Sequence, residues 1–360
     1  MEKQSTQQAL LQIEDLRVDF TTYAGKVKVL NGVDLTLHEG EIFGLVGESG
    51  CGKSVTALTI AGLLPENSEI ISGKVLFEGD DLLKKSSNQM RETRAMKVAM
   101  IFQDPMTFLN PVLTVGTQLT ESIDVRYGKS IGEGWRPPKS GDPLGSTTPS
   151  GRTGRREKKR ILYEMAIDAL RRVRLPDPER MMKSFPHELS GGMRQRVMIA
   201  MALARNPDLL IADEITTALD VTIQAQILEL LRTLRGELKS TIVVITHDLG
   251  VVAEVCDRIG VMYAGDVVEV ATVDDLFAKP MHPYTQGLLH AIPIVTGGNE
   301  RLESVRGTVP DLIHPPPACR FNPRCPHAWD LCAKEKPKLL AQSPGHFVAC
   351  HLYTQERKAS

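Results

Sequence analysis

Gly47-Glu48-Ser49-Gly50-Cys51-Gly52-Lys53-Ser54 decides the reading of this chain. The run fits G-x-x-x-x-G-K-[ST], follows the apolar pattern EIFGLV and opens the helical pattern VTALTIAGLL. Glycines let backbone N–H groups converge on phosphate oxygens at a helix N-terminus, where the helix dipole favours an anion. Lys53 supplies a cation to the outer phosphates and the Ser54 hydroxyl is a ligand for Mg2+, with Gly47, Ser49, Gly50, Cys51, Gly52 and Val55 completing the candidate binding set. A Gly-rich turn that binds nothing is the bland alternative, and the agreement of pattern with context leaves it little weight.

Working outward from that loop, β-branched apolar runs alternate with helical patterns from about residue 10 to residue 271, as in an α/β domain with a mostly parallel sheet. Strands are expected at EIFGLVG, KVAMIFQD, DLLIAD and STIVVITHD. LLQIEDLRVDF and KVKVLNGVDLTL alternate more strictly and predict an antiparallel edge with one wetter face. RIGVMYAGDVVEVA predicts a hairpin turning at Ala264, Gly265 and Asp266. Residues 128–156 hold Gly, Pro, Ser, Thr and Arg with almost nothing to bury, which predicts a mobile loop.

LLIAD ends in Asp213 and is followed by Glu214, and the C-terminal end of a strand is where α/β sheets present ligands. Successive residues point to opposite faces, so Asp213 is assigned to the Mg2+ shell and Glu214 to orienting and polarising the attacking water. Alone, such a pair is more often a solvated loop or a helix cap; the phosphate loop upstream reverses the odds. Ser190 is a good N-cap for the helical run RQRVMIAMALAR, and Gly191 and Gly192 leave its N–H groups open to a second anion.

The chain has 360 residues and a formal charge of −1, which offers no basic stripe for a phosphate backbone; nucleic acid is not an expected partner. No run approaches the roughly 20 apolar residues of a membrane span, and the N-terminal stretch lacks a signal-peptide core, so a cytoplasmic location is expected. Of six cysteines, Cys51 and Cys256 stand alone, whereas Cys319, Cys325, Cys332 and Cys350 crowd together. In a reducing compartment that cluster predicts metal before disulfide. Its spacing lacks a C-x2-C knuckle and differs from the common ferredoxin spacings, so spacing names no metal. The Pro-rich tail is poor in periodic apolar residues and is expected to fold largely through its metal.

Taken together the phosphate loop, IFQDP with Gln103, LSGGMRQR, LLIADE, ALD with Asp220 and TH with His247 closely resemble ABC ATPases, in the family's order, over residues 11 to 271. The resemblance implies an ABC-type nucleotide-binding domain: a RecA-like core, an antiparallel β edge and a helical signature subdomain at about 104–206 within residues 1–285. It implies a head-to-tail dimer with ATP held between one subunit's phosphate loop and the partner's LSGG, which accounts for two anion sites. By the same carry-over Gln103 links Mg2+ and the attacking water to membrane subunits, Asp220 works across the dimer, and His247 contacts the γ-phosphate. Tyr23 is the adenine-stacking candidate, with Phe20 as the alternative. Ile215 stands where close relatives usually carry proline, which leaves Glu214 less constrained.

GTVP, PPPACRFNPRCPHA, Cys332, HFVAC and HPYTQGLL resemble the tail of the oligopeptide and dipeptide importer ATPases, a group that also contains nickel and glutathione importers. This resemblance implies a small cysteine-rich module at 286–360 holding a [4Fe-4S] cluster on Cys319, Cys325, Cys332 and Cys350, with zinc as the alternative. It implies a peripheral subunit on the cytoplasmic membrane face. Its partners would be two permease subunits, a second and paralogous ATPase subunit, and an extracytoplasmic substrate-binding protein reached through the permease. A soluble ABC ATPase acting on DNA or ribosomes is the rival from another class; those usually carry long coiled-coil or zinc insertions, or two nucleotide domains.

Overall fold

The computed structural model describes residues 8–104, 108–131, 155–215, 221–238, 240–291 and 305–354. In chain order their strands begin with β1 (Ala9–Thr22), β2 (Gly25–His38), β3 (Ile42–Val46), β4 (Ser68–Phe77), β5 (Asp80–Asp81) and β6 (Val98–Ile101). They continue with β7 (Leu209–Asp213), β8 (Thr241–Thr246), β9 (Arg258–Tyr263), β10 (Asp266–Thr272), β11 (Leu340–Ser343) and β12 (His346–Val348). The chain divides into two compact units, one of Met1–Lys85 with Val244–Ser360 and one of Ser86–Val243.

In the first unit β1 pairs antiparallel with β2 on one side and β4 on the other, the edge expected from the strict alternation. Leu11 and Ile13 are buried while Gln12 and Glu14 face solvent, and the burial frame then slips to Leu16 and Val18. The slip occurs at a register shift beside Asp15, whose φ is 41°, a bulge that turns the strand over by one residue. β3 is buried at all five positions and runs parallel to β9, as a strand covered on both faces must.

The β9–β10 hairpin forms where its sequence predicts, though the loop is only Ala264-Gly265, with Asp266 already paired to Tyr263. Both loop residues have positive φ, 47° and 87°, the two-residue geometry that matches strand twist. β12 adds antiparallel to β10 through Glu269↔Val348 and Val270↔Phe347, and β11 lies beyond it. Glu269 is fully buried there, accepting from the N–H groups of Met281 and His282 and lying 2.7 Å from the His346 ring nitrogen Nε2.

The tail therefore departs from the sequence expectation that it folds through a metal. Its few apolar residues complete a core supplied by the rest of the unit: Phe321 is buried, with ring centroids 5.0 Å from Tyr263 and 5.5 Å from Tyr284. Burying one such ring contributes about 1.5–3 kcal/mol, so sparse hydrophobicity suffices when each residue docks.

In the second unit β6 and β7 pair in parallel from Val98↔Leu209 to Ile101↔Ala212. β8 runs beside β7, its first residue Thr241 donating to the Asp208 carbonyl at 2.9 Å. Helices Val115–Tyr127, Arg155–Arg172 and Gly191–Leu203 pack on one another, and Leu119, Ile123, Ala166, Leu170, Val197 and Ile199 on them are buried. Most of the stretch expected to be a mobile loop, residues 132–154, lies outside the described residues. Among the described residues no helix is long and apolar enough to cross a membrane.

Candidate functional site

In the first unit, residues 47–52 connect β3 to the helix Lys53–Ala61. Gly47 has φ 152°, and a side chain there would run into the Met262 carbonyl. Gly50 has φ 79° and nothing within 4 Å of an added Cβ, so the loop backbone is open to a ligand on that side. Gly52 caps the helix with no side-chain hydrogen bond, which leaves the first helical N–H groups for an anion. Lys53 is buried, and its Nζ donates to the carbonyls of Gly47 at 2.7 Å and Glu48 at 3.0 Å, which holds its charge across the loop. Ser54 is exposed at the helix start. These features fit a polyphosphate: a helix N-terminus with no side-chain cap, one cation and a hydroxyl for Mg2+.

The loop is braced from elements far away in sequence. Gly265 of the hairpin turn donates to the Cys51 carbonyl at 2.8 Å. The Glu48 N–H donates to the Tyr284 hydroxyl at 2.9 Å, and the Glu48 carboxylate forms a two-pronged ion pair with Arg324. Burial raises the pKa of the Cys51 thiol and that of the Tyr284 phenol, so both stay protonated. Tyr284 and Arg324 lie within HPYTQGLL and PPPACRFNPRCPHA, yet sequence reasoning gave neither a role at the loop, because both reach Glu48 only through contacts distant in sequence. His247 follows β8 in an exposed position, while Tyr23 sits fully exposed in the β1–β2 turn and Phe20 is half-buried in β1.

In the second unit, Asp213 ends β7 and is buried, and Glu214 follows in the left-handed region with φ 45°. A non-glycine residue held there costs on the order of 1–3 kcal/mol and persists only where its surroundings impose it. The next residue, Ile215, which stands where a proline was noted in close relatives, is buried at 3% exposure. Gln103 Nε2 donates to Glu214 Oε2 at 2.8 Å, bringing together two of the predicted catalytic residues. Ser190 caps the helix Gly191–Leu203, accepting from the Met193 N–H at 3.4 Å, and Gly191 meets nothing within 4 Å. Arg196 roots the helix, donating to the Val173 carbonyl at 2.6 Å and to Gln226 at 2.8 Å. Asp220 lies outside the described residues.

Residues 30–217 match the family described as ABC transporter. The chain belongs to that family. Residues 268–332 also match the family described as the oligopeptide/dipeptide transporter C-terminal region. Among its ABC relatives, the probable peptide ABC transporter ATP-binding protein y4tR of Sinorhizobium fredii is 48% identical over 95% of this chain and 94% of that one. The dipeptide transport ATP-binding protein DppD of Bacillus subtilis is 46% identical, covering 96% and 95%. A solved ABC transporter cassette, the dimeric MJ0796, aligns with a TM-score of 0.59 and 26% identity over 73% of this chain and 98% of that one. MJ0796 has also been solved as a dimer bound to ADP and Pi. The fold is thus the α/β ATP-binding cassette of ABC transporters.

The expected metal centre of the tail is corrected. All four tail cysteines are described, none is disulfide-bonded, and no group of three or more His, Cys, Asp or Glu side chains among the described residues could hold a metal ion. Neither the [4Fe-4S] cluster nor zinc fits this arrangement.

Proposed function

We propose that this chain is the ATP-hydrolysing subunit that energises import of dipeptides or oligopeptides, peripheral to the cytoplasmic membrane face. The observation that carries the reading is the joint match of one chain to the ABC transporter family and to the oligopeptide/dipeptide transporter C-terminal region. Residues 1–285 are the ATPase domain and 286–360 the importer-type tail. Lys53, Ser54 and the loop amides bind ATP with Mg2+, which offsets the charge of the phosphates, and Tyr23 stacks on adenine.

Asp213 belongs to the Mg2+ shell. Glu214, held by the amide of Gln103, takes up the proton of the attacking water as the water oxygen bonds to the γ-phosphorus and the bond to the β–γ bridging oxygen breaks, releasing ADP and phosphate. Its strained backbone supports that role, since such strain concentrates where a side chain must be aimed. His247 contacts the γ-phosphate, and Ser190, Gly191 and Gly192 close on ATP of a second, paralogous ATPase subunit, with Asp220 working across the dimer. Two permease subunits convert the cycle into transport, and a substrate-binding protein delivers cargo to them.

The test is uptake of labelled di- and oligopeptides in cells whose own copy carries Glu214→Gln. Loss of peptide uptake with the complex still assembled is expected; unchanged peptide uptake together with lost nickel or glutathione uptake would reassign the cargo.

A further inference from the structure

Glu48 places a carboxylate inside the loop read as the polyphosphate site, at a position the motif leaves open to any residue. Its own carbonyl accepts from Lys53 Nζ at 3.0 Å, so the residue lies within reach of the phosphate-binding cation. A negative charge there opposes a ligand carrying several negative charges. The structure shows what balances it: Arg324 Nη1 donates to Oε2 at 2.9 Å and Nη2 to Oε1 at 3.0 Å, in the fork geometry that matches a carboxylate.

Arg324 is itself rigidly placed. Its side chain is 6% exposed, Nε donates to the Arg306 carbonyl at 2.9 Å, Nη2 to the Val305 carbonyl at 3.2 Å, and the guanidinium lies over the Tyr263 ring at 5.5 Å. The Glu48 backbone is fixed from the other side by the Tyr284 hydroxyl. Two segments, 236 and 276 positions away, thus converge on one loop residue.

We propose that Arg324 is a positioning residue for ATP binding: it neutralises Glu48 and holds the carboxylate away from the phosphates, making the tail a part of the nucleotide site. The proposal rests on residues 47–54 being the phosphate loop. Linkage is reciprocal, so bound ATP strengthens the docking of the tail by the same factor that the docked tail strengthens ATP binding.

An ordinary structural ion pair would lose stability when either partner is removed and would leave affinity alone, or weaken it equally for both. Charge positioning instead predicts opposite signs. The experiment is titration of the purified full chain with a fluorescent ATP analogue and Mg2+, with thermal unfolding measured in parallel. Arg324→Ala, which strands the carboxylate, weakens binding roughly tenfold, the order expected for one partly screened charge near the phosphates. Glu48→Gln, which leaves the cation unopposed, tightens binding by about threefold, and the double variant returns to within about twofold of the parent.

Weakening by both single variants, or no rescue in the double, overturns the proposal. Should Arg324→Ala fail to fold, Glu48→Gln decides alone, since tighter binding supports the account and unchanged or weaker binding contradicts it. Lys53→Ala separates the two readings. If it binds like the parent, the phosphate-loop assignment fails; if it loses binding while Arg324→Ala does not, only the role of Arg324 fails.

Discussion

The phosphate loop and the cysteine-rich tail were both read from short spaced motifs, and the two regions repay that reading differently. In residues 47–54 each feature of the motif has a local geometric consequence: Gly47 passes the Met262 carbonyl, Gly52 leaves the helix start uncapped, and Lys53 spans the loop. The four cysteines are spread over several turns, with the Cys319 N–H donating to the Cys332 carbonyl at 3.1 Å. Their placement depends on where β10, the Pro-rich stretch and the short helix Asp330–Lys334 dock, and the docked tail presents Phe321 to the core rather than a ligand group. A contiguous motif carries its own backbone, whereas a dispersed one inherits the backbone of whatever it packs against.

The contrast is sharpened most strongly at Lys53. Lys53→Ala removes the one cation spanning the loop and is expected to weaken ATP binding at least a hundredfold or so in a fluorescence titration, the scale of losing a charge-assisted contact in a preorganised site. A loss of only a few-fold would mean that the glycines and amides alone carry the site.

For the tail the decisive position is Phe321. Phe321→Ala opens a cavity beside Tyr263 and Tyr284 and should cost about 3–5 kcal/mol, read as a lowered midpoint in chemical unfolding. A cost under about 1 kcal/mol would show that the tail is held by something other than this aromatic cluster.

A smaller effect is expected from pH. His282 caps the helix Pro283–His290 through Nδ1, sits beside Phe321, and burial pushes its pKa down to about 3. The unfolded chain takes up this proton near pH 6.5 while the folded one resists until about 3, so the stability from a neutral His282 is present above pH 6.5 and is lost as pH falls towards 3. His282→Asn should flatten the pH dependence of unfolding across that window; an unchanged slope would remove His282 as its source.

The smallest change is Ser190→Ala, which deletes the N-cap of the signature helix and should lower stability by about 1 kcal/mol. It checks whether a second contiguous motif carries its local geometry as the phosphate loop does. No measurable loss would limit that rule to the loop itself.

Much of the fold was legible for the same reason the loop was. The alternation in β1 and β2, the unbroken apolar runs of β3, β7 and β8, and the Ala264-Gly265 turn are local signals with local causes. Three features were not legible: the frame slip at Asp15, the left-handed backbone of Glu214, and the bracing of Glu48 by Tyr284 and Arg324. Each depends on partners that no period of 2 or 3.6 residues brings together. Glu214 was named from the strand-end carboxylate pair and Gln103 from a resemblance, and the structure joins them by a hydrogen bond.

The central claim is that Glu214 drives ATP hydrolysis on a chain that binds ATP through a different set of residues. The direct measurement is nucleotide affinity and steady-state phosphate release for Glu214→Gln in the assembled transporter. Affinity for ATP with Mg2+ within about twofold of the parent, with turnover below roughly 1% of it, is the predicted result. Parent-like phosphate release by Glu214→Gln would contradict the account.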